Sequence, residues 1–593
     1  MNAFVKLRQK ISPYLFLVPC LIVFGLFLFY PFAKTIYLSL YKTDKLGQAK
    51  LFVGFGNYID LFTSESFYNS LLVTLIFVVI VVMVSMLLGL VTALLVNKNF
   101  PGIRVFSTAY ALPMAIASSA AALIFEIMLD PTIGILDKFL RSDINWLHDE
   151  RYALVCVALL TAWLNSGINY LYFSAGLANI DESIYERASV DGANEWQKFT
   201  RLTLPGLSPI LFYTVIVNII LAFQSFGQVK ILTEGGPGES TNLIVYSIYR
   251  DAFFNFRFGG AAALVCGTVF DCHAADIAHV PSGKEGSEVL MDIRLEPRTA
   301  AHPKREEIER LHETMKKREL GRKRRRLWSR FGVNLVVSVL VILPLLYALS
   351  IAFMPSGELF SMEMNLIPKQ PTLDNFAQAF TKIPLFRFIL NSFLVAGCIT
   401  LGQIIFCSLA AFALSFLDFK GKNVIFMLIM ATMMVPGEAT IISNYLTVSG
   451  WGWLNSYKVL IIPYITSAMG IFLFRQFYLT FPKSLYEAAK IDGCPNLVFI
   501  VRILIPLTKS AIGAMAVYTF INAYNMYMWP LLVTGTEEMR TVQIGISMLN
   551  SVDSQSITMV IAGVVMVILP SLFVFILGQK QLIRGMFSGA VKG

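Results

Sequence analysis

Charge is scarce in this chain. Only 15% of its 593 residues are Asp, Glu, Lys or Arg, and histidine occurs five times. A soluble domain carries about 25% charged residues, so a water-facing surface around an ordinary core is excluded. Nucleotide-hydrolysing and nucleophilic machinery is missing too. No G-x-x-x-x-G-K-[ST] phosphate loop occurs, since Gly283-Lys284 is followed by Glu285 and Gly421-Lys422 by Asn423. Neither a nucleophile elbow nor a Ser/His/Asp or Cys/His arrangement in recognisable context is present. The seven cysteines, Cys20, Cys156, Cys266, Cys272, Cys398, Cys407 and Cys494, form no Cys-x-x-Cys pair and read as small apolar fillers. Cys266, Cys272, His273 and His279 match no zinc spacing. The expectation is no catalytic residue, no metal and no cofactor held by this chain.

What the chain does have is apolar side chain: 56% of residues are hydrophobic and 13% aromatic, with a mean hydropathy of +0.65. Runs near the ~20 residues that span a bilayer recur. In the first half they are Tyr14 to Tyr30, Leu71 to Val96, Val105 to Leu129, Ala153 to Phe173 and Leu207 to Phe226. The second half has Val333 to Phe353, Ile389 to Phe416, Val424 to Leu446, Val459 to Phe477, Ala511 to Tyr527 and Ile557 to Leu577. A twelfth begins near Gly259 but meets Asp271, His273 and Asp276 about half-way across. The first run has no small-residue cleavage site and reads as a retained anchor.

The net charge of +10 sets topology rather than a nucleic-acid partner. Lys6, Arg8 and Lys10 place the N-terminus in the cytoplasm. Counting spans puts Lys98, Arg104, Lys420, Lys422, Lys580 and Arg584 there as well, with the C-terminus.

A short signature occurs twice between the hydrophobic blocks. Glu186-Arg187-Ala188, Asp191-Gly192 and Leu204-Pro205 are each followed 301 residues later by Glu487-Ala488-Ala489, Asp492-Gly493 and Ile505-Pro506. Spacing held without a gap implies a duplicated shape. Each Asp-Gly reads as a helix stop and turn in which glycine takes a positive φ, and each Pro opens the next helix. Both signatures fall on the cytoplasmic side, so the two halves are parallel repeats.

These residues resemble the cytoplasmic "EAA" loop of the membrane subunits of ABC importers. Phe52-Val53-Gly54 with Asn57-Tyr58, and Thr233-Glu234-Gly235-Gly236-Pro237-Gly238, look like the first permease of carbohydrate-type importers. Pro371-Thr372-Leu373-Asp374-Asn375-Phe376, Phe474-Arg475-Gln476-Phe477 and Trp529-Pro530-Leu531-Leu532 look like its partner. Gln228-Val229-Lys230 and Met539-Arg540-Thr541-Val542-Gln543 resemble the sn-glycerol-3-phosphate pair, in a subfamily that also moves maltose-like oligosaccharides. The resemblance implies an all-α polytopic membrane protein of about 12 transmembrane helices, two parallel six-helix permease repeats of the type I ABC importer transmembrane domain. It also implies two ABC ATPase subunits that use ATP, and a separate extracytoplasmic solute-binding protein. The signature residues, Glu186, Ala188, Asp191, Gly192 and Pro205 with Glu487, Ala488, Ala489, Asp492, Gly493 and Pro506, are then the ATPase-coupling set.

Residues 1–270 form the first permease half, 271–330 a charged cytoplasmic linker and 331–593 the second half. From Lys304 to Arg326 the charges alternate and end in five consecutive basic residues, as in a solvated helix. That basic end requires the twelfth segment to cross. The simplest account is a fusion of two neighbouring genes, with about 270–290 replacing the end of a helix and Met291 the former start.

Polar or broken helices at membrane depth are expected to line a route, because polar groups facing lipid are costly. The 301-residue offset pairs Phe223 with Tyr524, Gln224 with Asn525 and Gln228 with Trp529. Amides serve hydroxyls and aromatic faces serve the C–H faces of a polyol or sugar. Helix-packing glue is the competing reading. Lys230 either attracts a phosphate or snorkels to the outer interface. A self-contained ion-coupled carrier remains the alternative function, although intramembrane carboxylates are few, chiefly Glu126 and Asp271.

Overall fold

The computed structural model describes residues 2–97, 100–140, 144–277, 305–359, 366–434, 437–552 and 556–588. Side chains at 2–10, 269–277, 305–326, 434, 438, 550–552 and 583–588 are not described. The chain is helical, with one antiparallel hairpin, Tyr41–Thr43 against Ala49–Phe52.

Among the described residues seven helices are long and apolar enough to cross a membrane: Ile11–Ser39, Glu65–Val96, Ala153–Ala178, Glu195–Leu232, Leu327–Ala352, Leu385–Phe416 and Ile557–Leu582. Three further apolar stretches are bent helix pairs rather than single helices. Ile103–Ala115 meets Ser118–Met128 at 101°, Tyr457–Tyr464 meets Ala468–Leu479 at 42°, and Asn496–Leu507 meets Lys509–Tyr524 at 85°. Local chemistry explains two of the breaks. Pro113 and Pro463 each lie in a short 3-10 turn, where a residue without an N–H costs no α-helical bond.

The remaining two apolar runs are shorter. Lys422–Ala431 is followed by Gly437–Gly450, and the doubtful twelfth segment forms one helix, Phe258–Ile277. Twenty residues of helix extend roughly 30 Å, enough to cross, although its apolar part ends near Thr268. The side chains of Asp271, Cys272, His273 and Asp276, with His279 and Met291, lie outside the described residues. The charged stretch is helical from Arg305 and runs without interruption through 330 to Ala352.

The two halves exchange their first helices, so neither is a separate packed body. Ile11–Ser39 lies on the second half: the Cys20 thiol donates to the Phe406 carbonyl, Thr35 and Ser443 hydroxyls meet at 2.7 Å, and Asn444 Nδ2 donates to the Phe27 carbonyl at 3.0 Å. Leu327–Ala352 returns the exchange. Tyr110 bonds Asn334 Oδ1 at 2.9 Å, Trp163 Nε1 donates to the Val341 carbonyl at 2.8 Å, and Tyr347 donates to the Ile133 carbonyl at 3.2 Å.

Each exchanged helix ends in the same clamp. Asn57 Nδ2 donates to the Ser39 and Tyr41 carbonyls at 2.7 and 2.9 Å, and Asn375 Nδ2 to the Ala352 and Met354 carbonyls at 2.9 Å each. Both asparagines are buried. A helix end in an apolar setting leaves carbonyls without partners, and one amide satisfies two of them. This gives the Asn-Tyr and Asn-Phe of the two family-like segments a physical role.

Candidate functional site: coupling turns and a paired helix break

The two signatures fold alike. The helix Glu182–Val190 ends at Asp191, and Lys483–Ile491 ends at Asp492. Gly192 and Gly493 take φ of +79° and +73°. The Ala193 N–H then reaches back to the Ala188 carbonyl and the Cys494 N–H to the Ala489 carbonyl, both at 2.9 Å. Glycine at these two positions permits the left-handed residue that this closing pattern requires. An added β-carbon would meet no atom within 4 Å at either site, so the constraint is backbone strain alone. Ala188 and Ala489 supply the accepting carbonyls, and Ala489 is buried. Glu186, Ala488 and Glu487 are exposed.

Sequence reasoning passed over the residue just before each glutamate. Tyr185 meets the Thr203 hydroxyl at 3.0 Å and Tyr486 donates to Asn496 Oδ1 at 2.9 Å, each bracing its signature helix on the segment that follows. The 301-residue offset pairs them. It also pairs two apolar tips, Val190 and Ile491, each 86% exposed beside its glycine turn, and the exposed Trp196 and Leu497.

Pro205 and Pro506 do not start new helices after a gap. Each is the second residue after a five-residue π-turn, Phe199–Thr203 and Ile500–Leu504; the helical path runs on through Pro205 to Phe223, whereas after Pro506 it bends by 85° at Thr508. The Leu204 and Ile505 N–H groups bond five residues back, to Phe199 and Ile500. The wider turn absorbs the mismatch at a residue that has no N–H to give.

Further along, both helices break at equivalent places. Leu204–Phe223 is capped at Gln224 and resumes at Gly227–Leu232; Lys509–Tyr524 is capped at Asn525 and resumes at Met528–Val533. The breaks meet each other. Phe226 and Tyr527, both buried, have ring centroids 6.2 Å apart. Asn525 Nδ2 donates to the Ala115 carbonyl at 3.1 Å, and Ser119 Oγ donates to Gln543 Oε1 at 2.7 Å, both across the halves. A β-carbon on Gly227 would come within 2.6 Å of Ser118 Oγ and 3.4 Å of Tyr527. Backbone and aromatic rings therefore close the interface tightly here.

The polar and aromatic residues singled out from sequence divide on this frame. Gln224 and Asn525 cap the breaks, and Gln228 is buried one turn beyond. Asn525 Oδ1 is buried without a partner. Phe223 is half-buried against the core. The polar atoms of Tyr524 and Trp529 are turned into their own half, donating to the Val567 carbonyl at 3.2 Å and the Val459 carbonyl at 2.9 Å. Lys230 Nζ is paired with Glu234 Oε1 at 2.6 Å. An aromatic group on the coupling side of the break was missed. Tyr213 packs edge-on against Tyr172 at 5.3 Å and lies near Tyr518 of the other half, with Tyr213 and Tyr518 both exposed.

Duplicated helical bundles with matched turns on one side and facing helix breaks define a polytopic membrane protein of two homologous halves. The family model described as "binding-protein-dependent transport system inner membrane component" matches twice, over residues 85–280 and 403–581. The chain belongs to that family and carries two copies of it. Its relatives include the sn-glycerol-3-phosphate transport system permease protein UgpA of Agrobacterium fabrum, 36% identical over 263 residues, 44% of this chain and 90% of that protein. They also include the arabinooligosaccharides transport system permease protein AraQ of Bacillus subtilis, 35% identical over 44% of this chain and 93% of that protein. A crystal structure of a bacterial alginate ABC transporter in complex with an alginate pentasaccharide-bound periplasmic protein is 22% identical, with a TM-score of 0.41 over 47% of this chain and 94% of that chain. The protein is thus a multi-pass inner-membrane component of a binding-protein-dependent transport system.

Proposed function

We propose that this single chain supplies both membrane halves of a binding-protein-dependent importer for a polyhydroxylated solute, sn-glycerol 3-phosphate or an oligosaccharide. Two copies of a partner ATPase dock on the two coupling turns, and alternating access moves the solute between the halves. The observation that carries this reading is the pair of turns, alike in φ, closing hydrogen bond and exposed apolar tip. The repetition of an exposed apolar tip and a second exposed apolar residue at the same offset, Val190 with Trp196 and Ile491 with Leu497, supports a docking role for both turns. Similarity to UgpA and AraQ supports the solute class.

Within the route, the Phe226–Tyr527 level acts as the outer closure, and Tyr172, Tyr213 and Tyr518 with Asn522 offer rings and hydroxyls on its inner side. Rings that carry a polar edge suit sugars, whose C–H faces stack while the hydroxyls are hydrogen-bonded. An ion-coupled carrier has no comparable support, since the matching family is one of binding-protein-dependent transport.

The test is uptake into proteoliposomes containing this chain, the ATPase and the binding protein encoded beside it. Uptake of labelled sn-glycerol 3-phosphate or arabinooligosaccharide should require internal ATP and the binding protein. Uptake that persists without both and collapses with an ionophore would overturn the reading.

A further inference from the structure

A hollow of about 660 Å³ opens beside the exchanged first helix, at its end remote from the coupling turns. Its walls are the segment around Tyr30 to Leu38, the hairpin residues Leu46 to Ala49, and Leu446 to Gly450 of the second half. The depth can be read along the helix. Tyr14 donates to the Lys420 carbonyl, close to Phe416, which packs on Tyr486 of the second coupling helix. Lys34 lies twenty residues further, roughly 30 Å along the helix axis, and therefore near the opposite membrane interface.

The hollow combines an unneutralised cation with a greasy wall. Lys34 is half-buried; its Nζ donates to Thr447 Oγ1 at 3.1 Å and stands 5.9 Å from the Tyr30 ring. Among the described residues no carboxylate lies within ion-pair distance of it. The nearest hairpin acid, Asp44, is already engaged by Lys50 at 3.3 Å and by the N–H groups of Leu46 and Gln48. Leu446 and Leu38 line the wall, while Tyr30 and Tyr37 are half-exposed, as aromatic residues are at a membrane interface. A half-buried cation at headgroup depth attracts an anionic group by Coulomb interaction, and the apolar wall beside it favours one that brings its own acyl chain.

We propose that this hollow binds an anionic phospholipid, with the phosphate on Lys34 and an acyl chain running past Ala33 and Tyr30 into the bilayer. The lipid bridges the exchanged helix of one half to Leu446–Gly450 of the other. This site is separate from the solute route and does not depend on which solute is carried.

Native mass spectrometry of the full chain, mixed with phosphatidylglycerol or phosphatidylcholine, tests it. Wild type and Lys34→Arg should retain phosphatidylglycerol in preference to phosphatidylcholine. Lys34→Gln should lose that preference by about fivefold, the worth of one interfacial cation. Ala33→Trp keeps the cation and fills the hollow, so it should lower retention of phosphatidylglycerol even if Lys34→Gln misfolds. Water-soluble glycerophosphoglycerol should not displace the lipid at equal concentration, because it lacks the chain. Undiminished preference in folded Lys34→Gln, full retention in Ala33→Trp, or displacement by the soluble headgroup would each overturn the proposal.

Discussion

Phe226 and Tyr527 occupy the same position in the two halves, 301 residues apart, and meet each other across the interface with ring centroids 6.2 Å apart. Contact between equivalent residues places them at the pseudo-two-fold axis. A ring pair on that axis is made or broken by any movement that separates the halves. Under the proposed alternating access, it would weight one side of that equilibrium.

Replacing both rings by leucine keeps apolar bulk and removes the ring contact, which is worth about 0.5 to 1.5 kcal/mol. The closed arrangement should lose population, and ATP hydrolysis without binding protein should rise about fivefold. ATPase assays on the reconstituted complex measure this. Basal hydrolysis equal to wild type would remove Phe226 and Tyr527 from the closure.

Gly192→Leu and Gly493→Leu each place a side chain at positive φ, at a cost on the order of 1 kcal/mol. An added β-carbon meets no neighbouring atom, so thermal stability should fall by no more than this turn strain while ATPase association falls further. Asparagine, which tolerates this conformation, should restore much of the association. Equal loss with leucine and asparagine would point to contact at the glycine itself instead of turn geometry. Glu186→Lys or Glu487→Lys should weaken the same association without altering the turn.

Asn525→Leu removes the donor to the Ala115 carbonyl across the halves. An interhelical hydrogen bond in a membrane contributes roughly 0.6 to 2 kcal/mol. Thermal stability, stimulated ATP hydrolysis and transport should fall together. Transport lost alone, with stability unchanged, would instead assign Asn525 to solute contact.

Asn375→Leu should cost more, because it frees the buried Ala352 and Met354 carbonyls together. Each buried polar group left unpaired costs about 1 to 3 kcal/mol. Asn57→Leu should act alike at Ser39 and Tyr41. A melting temperature within error of wild type for both would dismiss the clamp.

The two coupling helices should respond differently to acid. The Ser183 backbone N–H holds the Asp181 carboxyl below its ordinary value at the first helix's N-terminus, whereas Pro482 caps the second without a side chain. A depressed carboxyl stabilises the fold above the unfolded value of about 3.9 and loses that contribution as pH falls through the folded value. Hydrogen-exchange protection of 182–190 should drop below about pH 4 relative to that of 483–491. Asp181→Asn should abolish the pH dependence, and matched behaviour of the two helices in wild type would contradict it.

Much of the local design was legible beforehand. The ten candidate spans, counting bent pairs, and the short helices at 258–277 and 422–431 fall where apolar runs predict them. The repeated Asp-Gly marked both turns, because a positive φ has few occupants. The π-turns ahead of Pro205 and Pro506 were not legible, since proline is equally at home at a helix start. The offset that paired Gln224 with Asn525 also contained the pairs Tyr185 with Tyr486 and Phe226 with Tyr527. Only contact distinguished them.

The sequence by itself determined the class, the duplication and the axis relating the halves, because bilayer thickness, turn chemistry and spacing are properties of short stretches of chain. The tertiary structure alone decided the exchange of first helices, the meeting of Phe226 with Tyr527, and the turning of Tyr524 and Trp529 into their own half. The physical reason lies in the helices. A helix such as Glu65–Val96 is apolar on every side, so lipid and protein neighbours are nearly alike to it and its sequence carries little record of facing. Close packing and a few buried amides and hydroxyls, among them Asn57, Asn375 and Asn525, choose which face meets which.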